Sequence, residues 1–230
     1  MTIISGKTVK EGPESKLLMN FIESDLLPPL KPEEKMFAFI EPMLSGKRPD
    51  LVVVYWDDAI SQKWSGQRPD LAQLELRLAH HLYLNGPQTI KELNKKFPRN
   101  LKRSITNLET AQFIEKSEER WKIAELESIF VIRRIVTFEA KISAISKAIE
   151  QAIFNTWFAS ESYVLTHYKN LRKKTIDNAK LNGIGLWLFG GPNDKVPFTE
   201  ARTNTIPASY GSWVFNDIIF QFVTKGTYSC

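Results

Sequence analysis

Two short phrases in the 230-residue chain bring together residue types that can do chemistry. The first is Arg48-Pro49-Asp50 running into Leu51-Val52-Val53-Val54-Tyr55, and the second is Phe138-Glu139-Ala140-Lys141. Asp50 opens one apolar, β-branched stretch and Glu139 closes another, so both sit at strand ends. Residues two apart on a strand point to the same face, and Glu139 and Lys141 are therefore expected side by side, with Asp50 meeting them from a neighbouring strand. Carboxylates are hard oxygen ligands of the kind Mg2+ takes, and a bound divalent cation supplies charge neutralisation and an activated water for phosphodiester hydrolysis. A lone Glu-x-Lys arises by chance in most chains of this length, where it is a surface ion pair worth roughly 0 to 1 kcal/mol.

What singles these residues out is the order of elements around them. Leu17, Leu18, Phe21, Ile22 and Leu26 recur at near-helical spacing until Pro28-Pro29, which predicts a first helix from Pro13 carrying the acidic Glu14. Met36 to Ile40 and Leu51 to Trp56 read as neighbouring strands, the second largely buried. After Glu125 strands are expected over Ile129 to Phe138, Ser162 to Thr166 and Gly183 to Phe189, alternating with helices over Lys147 to Phe158 and Leu171 to Leu181, as in a layered α/β sheet. The apolar, aromatic stretch from Pro207 to Tyr228 fits either a helix or an edge element. A second Arg-Pro-Asp, at Arg68-Pro69-Asp70, opens a helical stretch, and Asp70 reads as its N-cap.

The intervening region has a different character. Leu71 to Tyr83 is helical in pattern and ends at the turn signal Asn85-Gly86-Pro87; Thr89 to Phe97 is a short helix with Thr89 and Glu92 as a capping box. Asn100 to Thr110 is a third helix with Ile105 and Leu108 inward, and Phe113 to Ile123 reads as two short strands around a polar turn. Three helices and a hairpin form a pattern that resembles winged-helix domains, in the phrase Thr-Ile-Lys-Glu-Leu, Leu-Lys-Arg-Ser-Ile-Thr-Asn-Leu-Glu and Phe-Ile-Glu-Lys. The resemblance implies that the third helix enters a DNA major groove through Lys102, Arg103, Thr106 and Asn107. The other use of such a domain is as a protein contact or spacer.

Taken together, Pro-Asp, Glu-x-Lys and the flanking helices resemble the PD-(D/E)xK superfamily of metal-dependent nucleases over Pro13 to about Phe189, interrupted by the inserted region. The resemblance implies a restriction-endonuclease-like mixed sheet flanked by helices, drawn from residues 1–70 and 125–230, with a winged-helix domain inserted at 71–124. It implies Asp50, Glu139 and Lys141 as the catalytic core, with Lys141 orienting or deprotonating the attacking water and offsetting negative charge on the phosphorane. Mg2+, with Mn2+ as a substitute, is expected on Asp50, Glu139 and the main chain of Ala140. Glu14 matches the acidic residue that many of these nucleases, Holliday-junction resolvases among them, place near the site. Gln151 resembles the glutamine of the RecB-like branch, whose usual Gln-x-x-x-Tyr is here Gln151-x-x-x-Asn155.

Composition agrees with a folded, DNA-directed protein and excludes other classes. Hydrophobic residues make up 43% and charged residues 25%, ordinary for a globular chain, and the net charge of +5 suits a polyanion partner. Its distribution is uneven: Lys91, Lys95, Lys96, Arg99, Lys102 and Arg103 lie close together, as do Lys169, Arg172, Lys173, Lys174 and Lys180, each group being otherwise a solvated helix face. No apolar run approaches the roughly 20 residues of a membrane span. The N-terminus lacks the features of a secretory signal, and a cytoplasmic protein is expected. Cys230, the only cysteine, excludes an intrachain disulfide or cysteine zinc site. His80, His81 and His167 lack metal-ligand spacing, Gly190-Gly191-Pro192 lacks the ending of a phosphate loop, and the six tryptophans read as core residues. The expectation is a Mg2+-dependent DNA endonuclease in restriction, genome defence or DNA processing, a homodimer if it cuts both strands. The alternative is a non-catalytic winged-helix regulator built on a nuclease-like scaffold.

Overall fold

The computed structural model describes residues 2–5, 12–44, 48–64, 68–167, 170–190 and 194–226. In chain order the elements are β1 (Thr2–Ser5), α1 (Pro13–Glu23), β2 (Glu34–Ile40), β3 (Leu51–Asp57), α2 (Asp58–Ser61), α3 (Gln73–Asn85), β4 (Gln88–Thr89), α4 (Ile90–Lys96) and α5 (Leu101–Thr110). There follow β5 (Ile114–Ser117), β6 (Arg120–Ile123), α6 (Leu126–Ile129), β7 (Ile132–Ala140), α7 (Ile145–Asn155), β8 (Glu161–Thr166), α8 (Lys173–Leu181), β9 (Gly185–Leu188) and α9 (Tyr210–Lys225). They fall into two compact units, one drawn from residues up to Trp56 with Ile132–Ala208, the other from Asp57–Val131 with the residues from Ser209 onward.

The first unit is a mixed α/β layer structure on a six-stranded sheet of order β1-β2-β3-β7-β8-β9. β3 runs antiparallel to β7, while β7, β8 and β9 are parallel to one another. β3 reads Leu-Val-Val-Val-Tyr-Trp because it is buried on both faces, and six of its seven residues are shielded. One face carries Phe138, Tyr163 and Trp187 against Leu17, Leu18, Phe21 and Ile22 of α1. The other receives Ile145, Ala148, Ile149 and Ala152 of α7 and Ala179 of α8 against Val164 and Leu186. Gly185 has no side chain because a Cβ there would lie 2.2 Å from the Tyr163 ring.

The second unit places α3, α5 and α9 together with a three-stranded sheet of order β4-β6-β5. The expected capping box is present: the Thr89 hydroxyl accepts from the Glu92 N–H at 3.3 Å, and the Glu92 carboxylate accepts from the Thr89 N–H at 2.7 Å. One sequence reading needs correction. Asp70 does not cap α3, whose N-cap is Ala72; its carboxylate pairs with Lys225. Of the two readings of the segment after Pro207, a helix or an edge element, the helix is the one found: α9 belongs to the second unit, where Trp213 meets the rings of Phe113 and Phe130. Asn216 fixes it there, donating to the Ile129 carbonyl at 2.8 Å and accepting from the Val131 N–H at 2.9 Å. The second unit accordingly comprises residues 57–131 together with α9. No helix among the described residues is long and apolar enough to cross a membrane.

Candidate active site

Register brings the first motif to the second. Leu51 pairs with Phe138 in an antiparallel ladder, so Asp50, one residue before the strand, comes opposite Glu139. The Asp50 carboxylate is fixed by the Ala140 N–H, which donates to Oδ2 at 2.8 Å. Lys141 lies just beyond the end of β7, and its Nζ donates to Glu14 Oε2 at 2.8 Å and to the Ala140 carbonyl at 3.0 Å, with Asp50 Oδ2 at 3.7 Å. Glu139 is 2% exposed; its Oε1 accepts from Asn155 Nδ2 at 2.8 Å, while its buried Oε2 has no hydrogen-bond partner.

The two-residue spacing of Glu139 and Lys141 works differently from a uniform strand. Glu139 alternates with Phe138 and Ala140 and so turns to the α7 side, where Asn155 holds it. Lys141 follows the last residue of β7, its N–H still donating to the Leu165 carbonyl at 2.9 Å, and its ammonium reaches Glu14 in the first turn of α1. Glu14 gains from that position, because a carboxylate is favoured at a helix N-terminus. Glu14 and Asp50 line a cavity of about 400 Å³ together with Gly12, Glu41, Ala140 and Ser143.

The electrostatics are those of crowded carboxylates short of positive charge. Burial, then the charge of Asp50, pushes the Glu139 carboxyl up to about 8, against the pull of Asn155 and Lys141. Burial also raises Asp50, opposed by Lys141 and the Ala140 N–H and assisted by Glu14 and Glu41. For Lys141 burial acts downward, but the hydrogen bond to Glu14 and the charges of Asp50, Glu14 and Glu139 leave its pKa raised.

Among the described residues no three His, Cys, Asp or Glu side chains form a ready metal cage. The groups that could hold a divalent cation here are the Asp50 and Glu139 carboxylates with the Ala140 main chain. They fit such an ion on one observation: Glu139 Oε2 is a buried acceptor that no protein donor satisfies. Of two further residues of the neighbourhood, Glu41 escapes a sequence reading and Asn155 enters one only as a departure from Gln-x-x-x-Tyr. Glu41, held at φ 48 after β2, donates its N–H to the Asp50 carbonyl at 3.1 Å, and no sequence motif marks it. Asn155 does carry a signal: it continues the buried stripe of Ile145, Ala148, Ile149 and Ala152, where a polar side chain has to find a partner. Gln151 precedes it by four residues, and its Oε1 is buried without a partner.

In the second unit Lys102, Arg103 and Thr106 are exposed on α5, while Ile105 and Leu108 are buried. Asn107 is not free as expected: it is half-buried and donates to Glu75 Oε1 at 3.2 Å, which Ser104 also reaches at 3.1 Å. A buried glutamate on α3 needs those donors, and Asn107 therefore belongs to the packing of α5. Lys102 and Arg103 line an open groove of about 630 Å³ with Lys91, Asn94 and Asn100. In the other basic group, Arg172, Lys173 and Lys174 are exposed or nearly so at the start of α8, and Lys169 lies outside the described residues. Comparison with family models, with curated proteins and with solved structures found no match.

Proposed function

We infer that the chain is a metal-dependent endodeoxyribonuclease of the PD-(D/E)xK type. The observation that carries this reading is the meeting of Asp50 and Glu139 at one end of the sheet beside Lys141, with Glu139 Oε2 buried and lacking a donor. Asp50 and Glu139 would hold Mg2+, or Mn2+ in its place, and the bound ion supplies charge neutralisation at the phosphate and an activated water. Lys141 is a cation beside that position, suited to offset charge building on the phosphate. Its ion pair with Glu14 keeps the ammonium protonated and oriented.

The second unit supports the DNA-binding half of the reading by its element content: α3, α4 and α5 followed by the hairpin β5–β6, with β4 as a third strand, as a winged helix requires. Lys102, Arg103 and Thr106 are its proposed contacts. Incubation of supercoiled plasmid with and without Mg2+ tests the proposal. Nicking or linearisation by the wild type that Asp50→Ala, Glu139→Ala and Lys141→Ala each remove is the expected result. Duplex binding without any cleavage would leave the non-catalytic regulator in its place.

A further inference from the structure

A carboxylate that shares a cation with another carboxylate must keep one oxygen available and hold it still. Glu139 is divided in that way, with Oε1 accepting from Asn155 Nδ2 at 2.8 Å and Oε2 buried without a protein donor. Asn155 is itself 3% exposed. Its main-chain carbonyl accepts from the N–H groups of Phe158 at 3.2 Å and Ala159 at 3.0 Å, so the turn after α7 fixes the backbone from which the amide projects. The position belongs to the buried stripe of α7, where an aliphatic side chain would leave Glu139 Oε1 without this donor. An amide N–H also has no lone pair to offer a cation, and so steadies the carboxylate without competing for the ion.

We propose that Asn155 is a positioning residue of the cation site, holding Glu139 by Oε1 so that Oε2 stays available to a divalent ion shared with Asp50. The proposal rests on the metal-site reading given above. It assigns to α7 a direct part in metal affinity, exerted through Glu139 and not by contact with the ion. Groups that hold a ligand from behind in this way affect metal affinity by about 10- to 100-fold when removed.

Mn2+ is the probe, because the six-line electron paramagnetic resonance signal of the free ion disappears on binding. Asn155→Leu keeps the number and branching of side-chain heavy atoms and removes the donor; Asn155→Ala removes donor and volume together. Both are expected to raise the half-saturating Mn2+ concentration about tenfold or more, while the metal-free melting temperature of Asn155→Leu does not fall in parallel. A merely structural role predicts the reverse, a lower melting temperature with unchanged Mn2+ affinity, and that result overturns the proposal. If Asn155→Ala does not fold, Asn155→Leu decides alone. Asp50→Ala is measured beside them: Mn2+ uptake that depends on Asp50 but ignores residue 155 sinks only the positioning role. Absence of any Asp50-dependent uptake in the wild type sinks the metal-site reading itself.

Discussion

The chain contains the tripeptide Arg-Pro-Asp twice, and its two copies have opposite fates. In Arg48-Pro49-Asp50 the arginine is exposed and the aspartate is drawn in, to a position opposite Glu139 with its charge only partly balanced. In Arg68-Pro69-Asp70 the aspartate is exposed and the arginine is drawn in, 7% exposed, paired with Asp217 and seated 3.4 Å from the centroid of the Phe220 ring. Gln221 completes that second cluster by donating to Asp217 Oδ2 at 2.9 Å. One buried charge meets its opposite and an aromatic face, an arrangement that specifies packing. The other is crowded by like charge, with Glu14 and Glu41 adding to the burial that raises Asp50, an arrangement that costs stability unless a cation or substrate uses it. Identical local sequence thus says little about role; the next element along the chain, a buried strand in one case and a helix in the other, decides which charge turns inward.

The sharpest way to break this comparison is to exchange effects between the two copies. Asp50→Ala should lower plasmid cleavage by about a thousandfold or more, the loss of several kcal/mol of transition-state stabilisation. Asp70→Ala should leave the rate within about twofold, as an exposed ion pair contributes little. Equal losses in the two variants would remove the distinction. Stability should show the mirror image: Arg68→Ala, which strands Asp217, is expected to cost about 3 to 5 kcal/mol in urea unfolding, whereas Arg48→Ala stays within about 0.5 kcal/mol. The double change Arg68→Met with Asp217→Leu should recover most of the loss, because the pair's desolvation disappears with it.

Much of the architecture is legible in the residue pattern, and the exceptions have physical reasons. Periodicity locates α1, β3, α7, β8 and α8, and spacing locates the Thr89 capping box, because burial repeats at the period of the element. It does not place α9, whose sixteen residues are apolar on most sides and so carry no clear stripe. It does not show that Glu139 is held by Asn155 on α7 while Lys141, one residue past β7, reaches Glu14 on α1, because those partners lie far away in sequence. Asp70 has the residue type of a cap without the role because Arg68, with α9 to pair with, sets the tripeptide ahead of α3, which starts only at Gln73. Asn107 and Glu75 are far apart in sequence, and nothing local announces that one will satisfy the other.

A smaller effect, on pH, separates the two buried charges further. The Glu139 carboxyl lies at about 8 in the folded protein against an ordinary value of 4.5, raised by burial and by Asp50. Between those values the folded chain keeps a proton that the unfolded chain has released. Stability from this group is therefore full below about pH 4.5, declines as pH rises, and is gone above about pH 8. Asp50 is shifted in the same direction and adds to the decline. Melting in the presence of a chelator from about pH 5 to about pH 9 should show it, with Mg2+ restoring most at the alkaline end, where no proton competes for the carboxylates. Glu139→Gln should flatten the slope; a slope that survives that change belongs to other groups.

The smallest expected effect tests whether binding and chemistry are divided between the two units as the two tripeptides are. Lys102 and Arg103 are exposed on α5, opposite the buried Ile105 and Leu108, and share a groove with Lys91. If each neutralises one DNA phosphate, replacing both by alanine should reduce the slope of log affinity against log salt by about 1.8, since each contact releases about 0.9 of a counterion. Cleavage at saturating DNA should be unchanged, because neither residue lies in the first unit. Thr106→Ala should matter less, its hydroxyl being already committed to the Lys102 carbonyl at 3.1 Å. If Lys102 and Arg103 touch only phosphates, all sequences weaken alike; if one reads a guanine edge, a preferred sequence loses roughly 1 to 3 kcal/mol more than the rest. An unchanged slope with unchanged affinity would make the second unit a protein-contact module, and the grip on DNA would then have to come from the first unit, where Lys173 and Lys174 are the exposed cations to replace next.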